Sequence, residues 1–107
     1  MNWRYENGRI YSLNENDELM AETTFIIKSN GVADIDHTYV DPSLRGGGLA
    51  GKMMEVVVEH LREKALKATA SCSYANAWLK KHSETCSDII SEDIYDEVVA
   101  CRIGGKH

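Results

Sequence analysis

The sequence predicts an α+β domain: a mixed β-sheet, antiparallel in its N-terminal half, with one parallel βαβ unit and short helices toward the C-terminus. Three observations predict it. The first forty residues alternate β-prone runs with turn signals, a glycine-rich loop then opens a long amphipathic helix, and a further short strand follows that helix.

Asn7-Gly8 is a tight-turn dipeptide between Trp3-Arg4-Tyr5 and Ile10-Tyr11-Ser12-Leu13, the signature of a hairpin. Asn14-Glu15-Asn16-Asp17 is a polar turn, and residues 19–28, with Thr23-Thr24-Phe25-Ile26-Ile27, are rich in β-formers. Ser29-Asn30-Gly31 turns the chain into a strand at Val32–Val40, which Asp41-Pro42 ends. Ala50, Met54, Val57, Leu61 and Ala65 recur at helical spacing, with Lys52, Glu55, Glu59, Arg62 and Glu63 on the other side, so this helix packs on the sheet. Residues 68–72 form the next strand, and strand, loop, helix, strand places the two flanking strands parallel. A short helix is expected over residues 75–82. From Ser83 onward, Ile90, Ile94 and Val98 are spaced by four, which predicts a last helix before a frayed end over residues 102–107. The expected organisation is a domain over residues 1–82 with a partly helical tail, residues 83–107, belonging to the same domain.

A chain of 107 residues suits one domain, and 43% hydrophobic residues suffice for a packed core. The formal net charge of -5 argues against non-specific nucleic-acid binding, which needs a basic face, and is compatible with a basic acceptor. The three cysteines, Cys72, Cys86 and Cys101, are odd in number and form no Cys-x-x-Cys, so neither a disulfide framework nor a metal site is expected. The first residues contain no apolar signal core, and no apolar run approaches the ~20 residues of a membrane span. A cytoplasmic protein without a membrane or nucleic-acid partner, monomeric or weakly dimeric, is the expectation.

The loop Arg45-Gly46-Gly47-Gly48-Leu49-Ala50 carries the chemistry. A helix N-terminus offers free N–H groups and the positive end of the helix dipole to a phosphate, and glycines let the phosphate approach the backbone. Three phosphate motifs overlap here. Gly46-x-Gly48-x-x-Gly51 fits a dinucleotide fingerprint, but residues 67–72 offer none of the acids that would hold a ribose. Gly46-x-x-x-x-Gly51-Lys52 nearly fits a P-loop, but Met53 stands where a magnesium-binding Ser or Thr is required. The third fit is the best: Arg45, two residues, Gly48, one residue, Ala50, after a strand ending at Val40-Asp41-Pro42.

That third pattern resembles the acetyl-CoA loop of the GCN5-related N-acetyltransferases. Together with His37-Thr38-Tyr39-Val40 and Ser71-Cys72-Ser73-Tyr74-Ala75, it is closest to a subfamily of very small members, with coverage from about Trp3 to His82. The resemblance implies a minimal fold of that family, in which the strand at Val32–Val40 and the strand at residues 68–72 splay apart around the pantetheine arm of acetyl-CoA or CoA. Backbone groups of Thr38, Tyr39 and Val40 would bond the arm, and N–H groups of Arg45, Gly46, Gly47, Gly48, Leu49 and Ala50 would hold the pyrophosphate. Aligning Ala75 on the family's alanine sets Cys72 on its usual Asn and Leu79 on its usual Tyr, the common general acid.

Residue by residue, Cys72 is a candidate nucleophile that accepts the acetyl group, or a small buried residue at a strand end. His37 is a candidate base for Cys72 or for an amine, since an imidazole titrates near neutral pH, or a loop-holding histidine. Arg45 either pairs with a phosphate or fixes the loop, and Asn76 either bonds the cofactor or caps its helix. Asp34 and Asp36 are alternative bases or a solvated strand edge, and His60 is read as structural. The function this implies is acetyl transfer from acetyl-CoA to an unidentified small-molecule or protein amine. The alternative is a non-catalytic CoA-binding module acting as a sensor or interaction protein.

Overall fold

The computed structural model describes residues 2–92 and 94. The elements run β1 (Arg4–Glu6), β2 (Arg9–Leu13), β3 (Leu19–Ile27), β4 (Val32–Val40), α1 (Leu49–Glu63), β5 (Lys67–Ala70) and α2 (Ser73–Lys81), with a 3-10 turn at Pro42–Leu44. Strands follow the order β1-β2-β3-β4-β5, antiparallel throughout except for the parallel pair β4–β5. This is the α+β mixed sheet with one βαβ unit that the sequence predicts.

Gly8 makes the first hairpin. Its φ is +78°, and a Cβ there would lie 2.8 Å from the Phe25 carbonyl, so only glycine fits. Alternation along β3 then buries Ala21, Thr23 and Phe25 and turns Glu22 and Thr24 the other way. Ile10, Phe25, Ala33 and Ile35 on the inner face pack in one core with Met54, Val57 and Leu61 of α1 and Ala75 and Leu79 of α2. Both helices therefore lie on the same face, and among the described residues the opposite face carries no helix.

One detail departs from the expected periodicity. The apolar spacing runs on to Ala65, but α1 ends at Glu63 because Ala65 adopts φ 58°. The N–H of Ala65 bonds the Arg62 carbonyl at 3.1 Å and that of Leu66 bonds the Leu61 carbonyl at 2.9 Å, a Schellman closure with alanine where glycine is usual.

In the tail, residues 82–91 run in turns and an isolated parallel bridge between Ala68 and Ile90, and the helix expected from the spacing of Ile90, Ile94 and Val98 falls largely outside the described residues. The Ala68 N–H donates to Ile89 O at 2.6 Å and the Ser91 N–H donates to Ala68 O at 2.8 Å, so the segment pairs along the free edge of β5. Cys86, Ile89 and Ile94 are buried in the main core. Val98 and the frayed end expected at residues 102–107 lie outside the described residues, as does Cys101.

Candidate functional site

The site begins where a ladder stops. β4 pairs with β5 only from Val32↔Lys67 to Ile35↔Ala70, while β4 continues to Val40. The last rungs are the N–H groups of Ser71 and Cys72, both 3.1 Å from the Ile35 carbonyl, with Asp34 Oδ1 also accepting from Ser71 N at 2.8 Å. Beyond them β5 turns into α2, and the backbone of residues 36–40 has no β5 partner on that side. The strands are parallel, so the notch opens at their C-terminal ends, the usual position for ligands in parallel α/β units.

Cys72 closes the notch. It precedes the first turn of α2 as the N-cap, is 4% exposed, and its Sγ lies 3.4 Å from Thr38 Oγ1 on β4. A bulge between Thr24 and Phe25 of β3 leaves one extra residue on β4 next to this point. Bulges re-aim side chains, and here consecutive residues both serve the open face of the sheet. Asp36 Oδ1 accepts from Thr24 Oγ1 at 2.7 Å, and His37 Nε2 lies 3.4 Å from Glu22 Oε1.

The glycine loop lies at the mouth of the notch. Asp41 accepts from the N–H and hydroxyl of Ser43, which starts the 3-10 turn and holds its carboxyl below the usual carboxylate range. Gly46 and Gly48 have φ values of +89° and +80°, and a Cβ at either would point into open space. Gly48 is the N-cap of α1, supplies no side-chain cap, and is followed by no acidic residue in the first turn. The first helical N–H groups are therefore free for an incoming anion. A cleft of about 150 Å³ is lined by Val40, Arg45, Gly46, Gly48, Ala50 and, from α2, Tyr74. Partial burial pushes the Tyr74 phenol above its ordinary value, so it keeps its proton at neutral pH.

A family model described as GCN5-related N-acetyl-transferase matches residues 10–89. This chain belongs to the GCN5-related N-acetyltransferase family. The match runs past His82 into the tail, in keeping with the burial of Cys86 and Ile89. Among solved structures, the chain is similar to a GCN5-like protein from Staphylococcus aureus, at 33% identity and a TM-score of 0.70 over 84% of this chain and 87% of that one. A second similarity is to an acetyltransferase of the same family from Staphylococcus aureus Mu50. At 12% identity and a TM-score of 0.54, over 72% of this chain and 49% of that one, it speaks for the fold alone.

Within this family framework the residues singled out from sequence separate into two groups. Thr38, Tyr39 and Val40 line the unpaired stretch of β4, and Arg45, Gly46, Gly47, Gly48, Leu49 and Ala50 form the loop at its end. Cys72 joins them through Thr38. His37 does not meet Cys72. Adjacent strand residues alternate faces, so with Thr38 turned to the thiol, His37 emerges on the opposite face beside Glu22. It lies apart from the thiol, and its ring is paired with Glu22. Asn76 is buried, and its amide donates to Ala70 O at 2.9 Å, so it braces the end of β5 rather than capping α2. Arg45 Nε donates to Val40 O at 2.9 Å, which ties the loop to β4 and leaves the rest of the exposed guanidinium outward.

Asp34 and Asp36 accept hydrogen bonds across strands instead of forming a solvated edge. Leu79 is fully buried, so the place of the family's usual tyrosine belongs to the core. Tyr74 and Glu22 went unassigned in sequence. Tyr74 follows Cys72 by two residues, which places it on the first turn of α2. Glu22 is 16% exposed at its side chain and holds Arg9 Nε at 2.5 Å as well as facing His37. The β3–β4 register sets Glu22 across from Tyr39 and Thr24 across from His37, so Glu22 reaches His37 as a diagonal neighbour on the outward face that its alternation with Thr23 marks.

Proposed function

We propose that this protein transfers an acetyl group from acetyl-CoA to an amine, with Cys72 carrying the group between them. The observation that carries this reading is the convergence of an anion-ready helix end, an unpaired strand edge and a buried thiol on one notch. The donor chemistry fits the residues present. Gly46 and Gly48 leave room for phosphate oxygens against the backbone, the α1 N-terminus supplies donors, and the β4 backbone offers strand-like partners to the amides of a pantetheine arm. Bound CoA thioester supplies an acyl group that can exchange between sulfurs.

Cys72, as thiolate, forms a bond to the acyl carbon while the bond to the CoA sulfur breaks, and that sulfur departs with its electron pair and is protonated by solvent. An amine reaching the notch then forms the N–C bond. Cys72 leaves with the electron pair, and the amine's proton passes to solvent at the mouth of the notch, since His37 and Glu22 lie on the other face of the sheet.

Incubating the protein with acetyl-CoA tests this, following released CoA thiol and intact mass with and without a panel of amines. The expected result is a gain of one acetyl group that Cys72→Ala abolishes and that amines discharge. Tight CoA binding without thiol release would instead support the non-catalytic CoA-binding reading, for which the buried Leu79 in the tyrosine's place speaks. Failure of both acetyl-CoA and CoA to bind would sink both.

A further inference from the structure

Thr23 holds a hydroxyl that packing does not explain. The residue is fully buried on β3, and its Oγ1 has no hydrogen-bond partner. Buried polar atoms are nearly always paired, because leaving one unpaired is costly. Valine has the same branched shape without that cost, so the fold alone gives no reason for the oxygen.

Its place in the register supplies one. Thr23 lies directly across from Thr38, and paired residues on neighbouring strands share a face. Thr38 Oγ1 is in turn 3.4 Å from Cys72 Sγ. Two hydroxyls and a thiol thus line up across β3, β4 and the start of α2, on the helix-covered side of the sheet.

We propose that Thr23 is a positioning residue for the Cys72 thiol, its hydroxyl donating to Thr38 Oγ1 whenever Thr38 donates to the sulfur. A hydroxyl has one proton and two lone pairs. When Cys72 reacts as thiolate, the sulfur only accepts, so the single Thr38 proton must point at it. The Thr38 lone pairs are then open to the Thr23 proton, which reaches them by a change between staggered χ1 wells. Each bond in such a chain polarises the next. With Cys72 as neutral thiol, S–H can donate to Thr38 instead and the second bond is not required, which accounts for an unpaired Thr23 in the resting arrangement. The inference rests on the acyl-carrier reading of Cys72.

The test uses methyl methanethiosulfonate, a small thiol reagent unrelated to CoA. Modification of Cys72 is located by peptide mass mapping and timed in wild type, Thr23→Val, Thr23→Ser and Thr38→Val, with urea midpoints for each. A direct hydrogen bond to a charged sulfur is worth enough that Thr38→Val slows the reaction by about tenfold or more. The second bond acts only by strengthening the first, so Thr23→Val slows it by about two- to threefold while unfolding at the wild-type urea concentration or above. Thr23→Ser retains the wild-type rate.

A wild-type rate in Thr23→Val overturns the proposal. So does a Thr23→Ser rate as slow as that of Thr23→Val, which would make the methyl group the cause. A loss of stability in Thr23→Val overturns it too, by revealing a stabilising partner for the hydroxyl. A protein that reacts with the thiosulfonate but takes no acetyl from acetyl-CoA would count against acyl transfer alone, leaving this comparison readable.

Discussion

Thr38 Oγ1 and Cys72 Sγ, 3.4 Å apart, join β4 to the start of α2 just beyond the point where the β4–β5 ladder ends. The contact is a side-chain latch across a backbone gap. It separates two tasks: the notch is held partly by the thiol, whereas the proposed anion site is made by the backbone of the glycine loop.

That separation makes Cys72→Ala informative. The loop is anchored by Arg45 to Val40 and by Asp41 to Ser43, neither of which touches Cys72. The variant is expected to lose about 1 kcal/mol of stability, in the common range for a single small substitution. Its affinity for CoA by calorimetry should stay within about threefold of wild type, since the proposed phosphate contacts use backbone donors that the substitution leaves in place. A collapse of CoA affinity in a folded Cys72→Ala protein would mean the thiol shapes the cofactor site itself.

Gly48 probes the loop from the other side. Its φ of +80° disfavours any side chain, but a Cβ there meets no atom within 4 Å. Gly48→Ala should therefore cost only the backbone term, roughly 1 kcal/mol in urea unfolding, and keep measurable CoA binding. Gly48→Glu adds a carboxylate at the helix end proposed to receive a phosphate, and like charges repel in the same place the dipole attracts. It should abolish binding in a protein that still unfolds cooperatively; equal CoA affinities for the two variants would place the pyrophosphate elsewhere.

Much of this architecture is legible in the chain because it rests on local signals. The Asn7-Gly8 turn, the alternation of β3 and the glycine loop before an amphipathic helix each need only neighbours in sequence to be read. What escaped is set by register. The pairing of His37 with Glu22 rather than Cys72 follows from the β3–β4 bulge and from strand alternation, neither of which leaves a mark in composition. The bridge from the tail to β5 escaped for a related reason: the free edge of β5 offers Ile89 and Ser91 backbone partners at Ala68, and no local pattern in residues 83–91 announces that long-range pairing.

Ala65 is a place where the sequence is less than optimal for its own structure. It occupies the left-handed position after α1, φ 58°, with both Schellman bonds formed around it. A left-handed conformation costs an L-residue roughly 1–2 kcal/mol, and glycine removes that cost while losing somewhat more chain entropy on folding. Ala65→Gly should raise stability by about 0.5–1 kcal/mol at unchanged urea m-value. A destabilised variant would show that the Ala65 methyl group makes packing contacts that outweigh the strain.

The last prediction concerns pH and the docking of the tail. Asp88 receives two hydrogen bonds from Arg62 of α1, from Nε at 2.6 Å and from Nη2 at 2.9 Å, immediately before the buried Ile89. These bonds, aided by the charges of Arg62 and Lys67, hold the Asp88 carboxyl below its ordinary value. The unfolded chain therefore binds this proton more readily than the folded one. Its contribution to stability is complete above about pH 5, clear of the ordinary aspartate value, and is lost as pH falls through that value toward the lowered folded one. With 54% of the Asp88 side chain exposed, the contribution is modest and weakened by salt. Asp88→Asn should unfold at slightly lower urea than wild type at every pH from about 5 to 8. The gap should narrow in high salt and shrink as the pH falls through the ordinary aspartate value toward the lowered folded one. A gap that persists undiminished in acid would assign the effect to lost packing or backbone geometry rather than to the charge on Asp88.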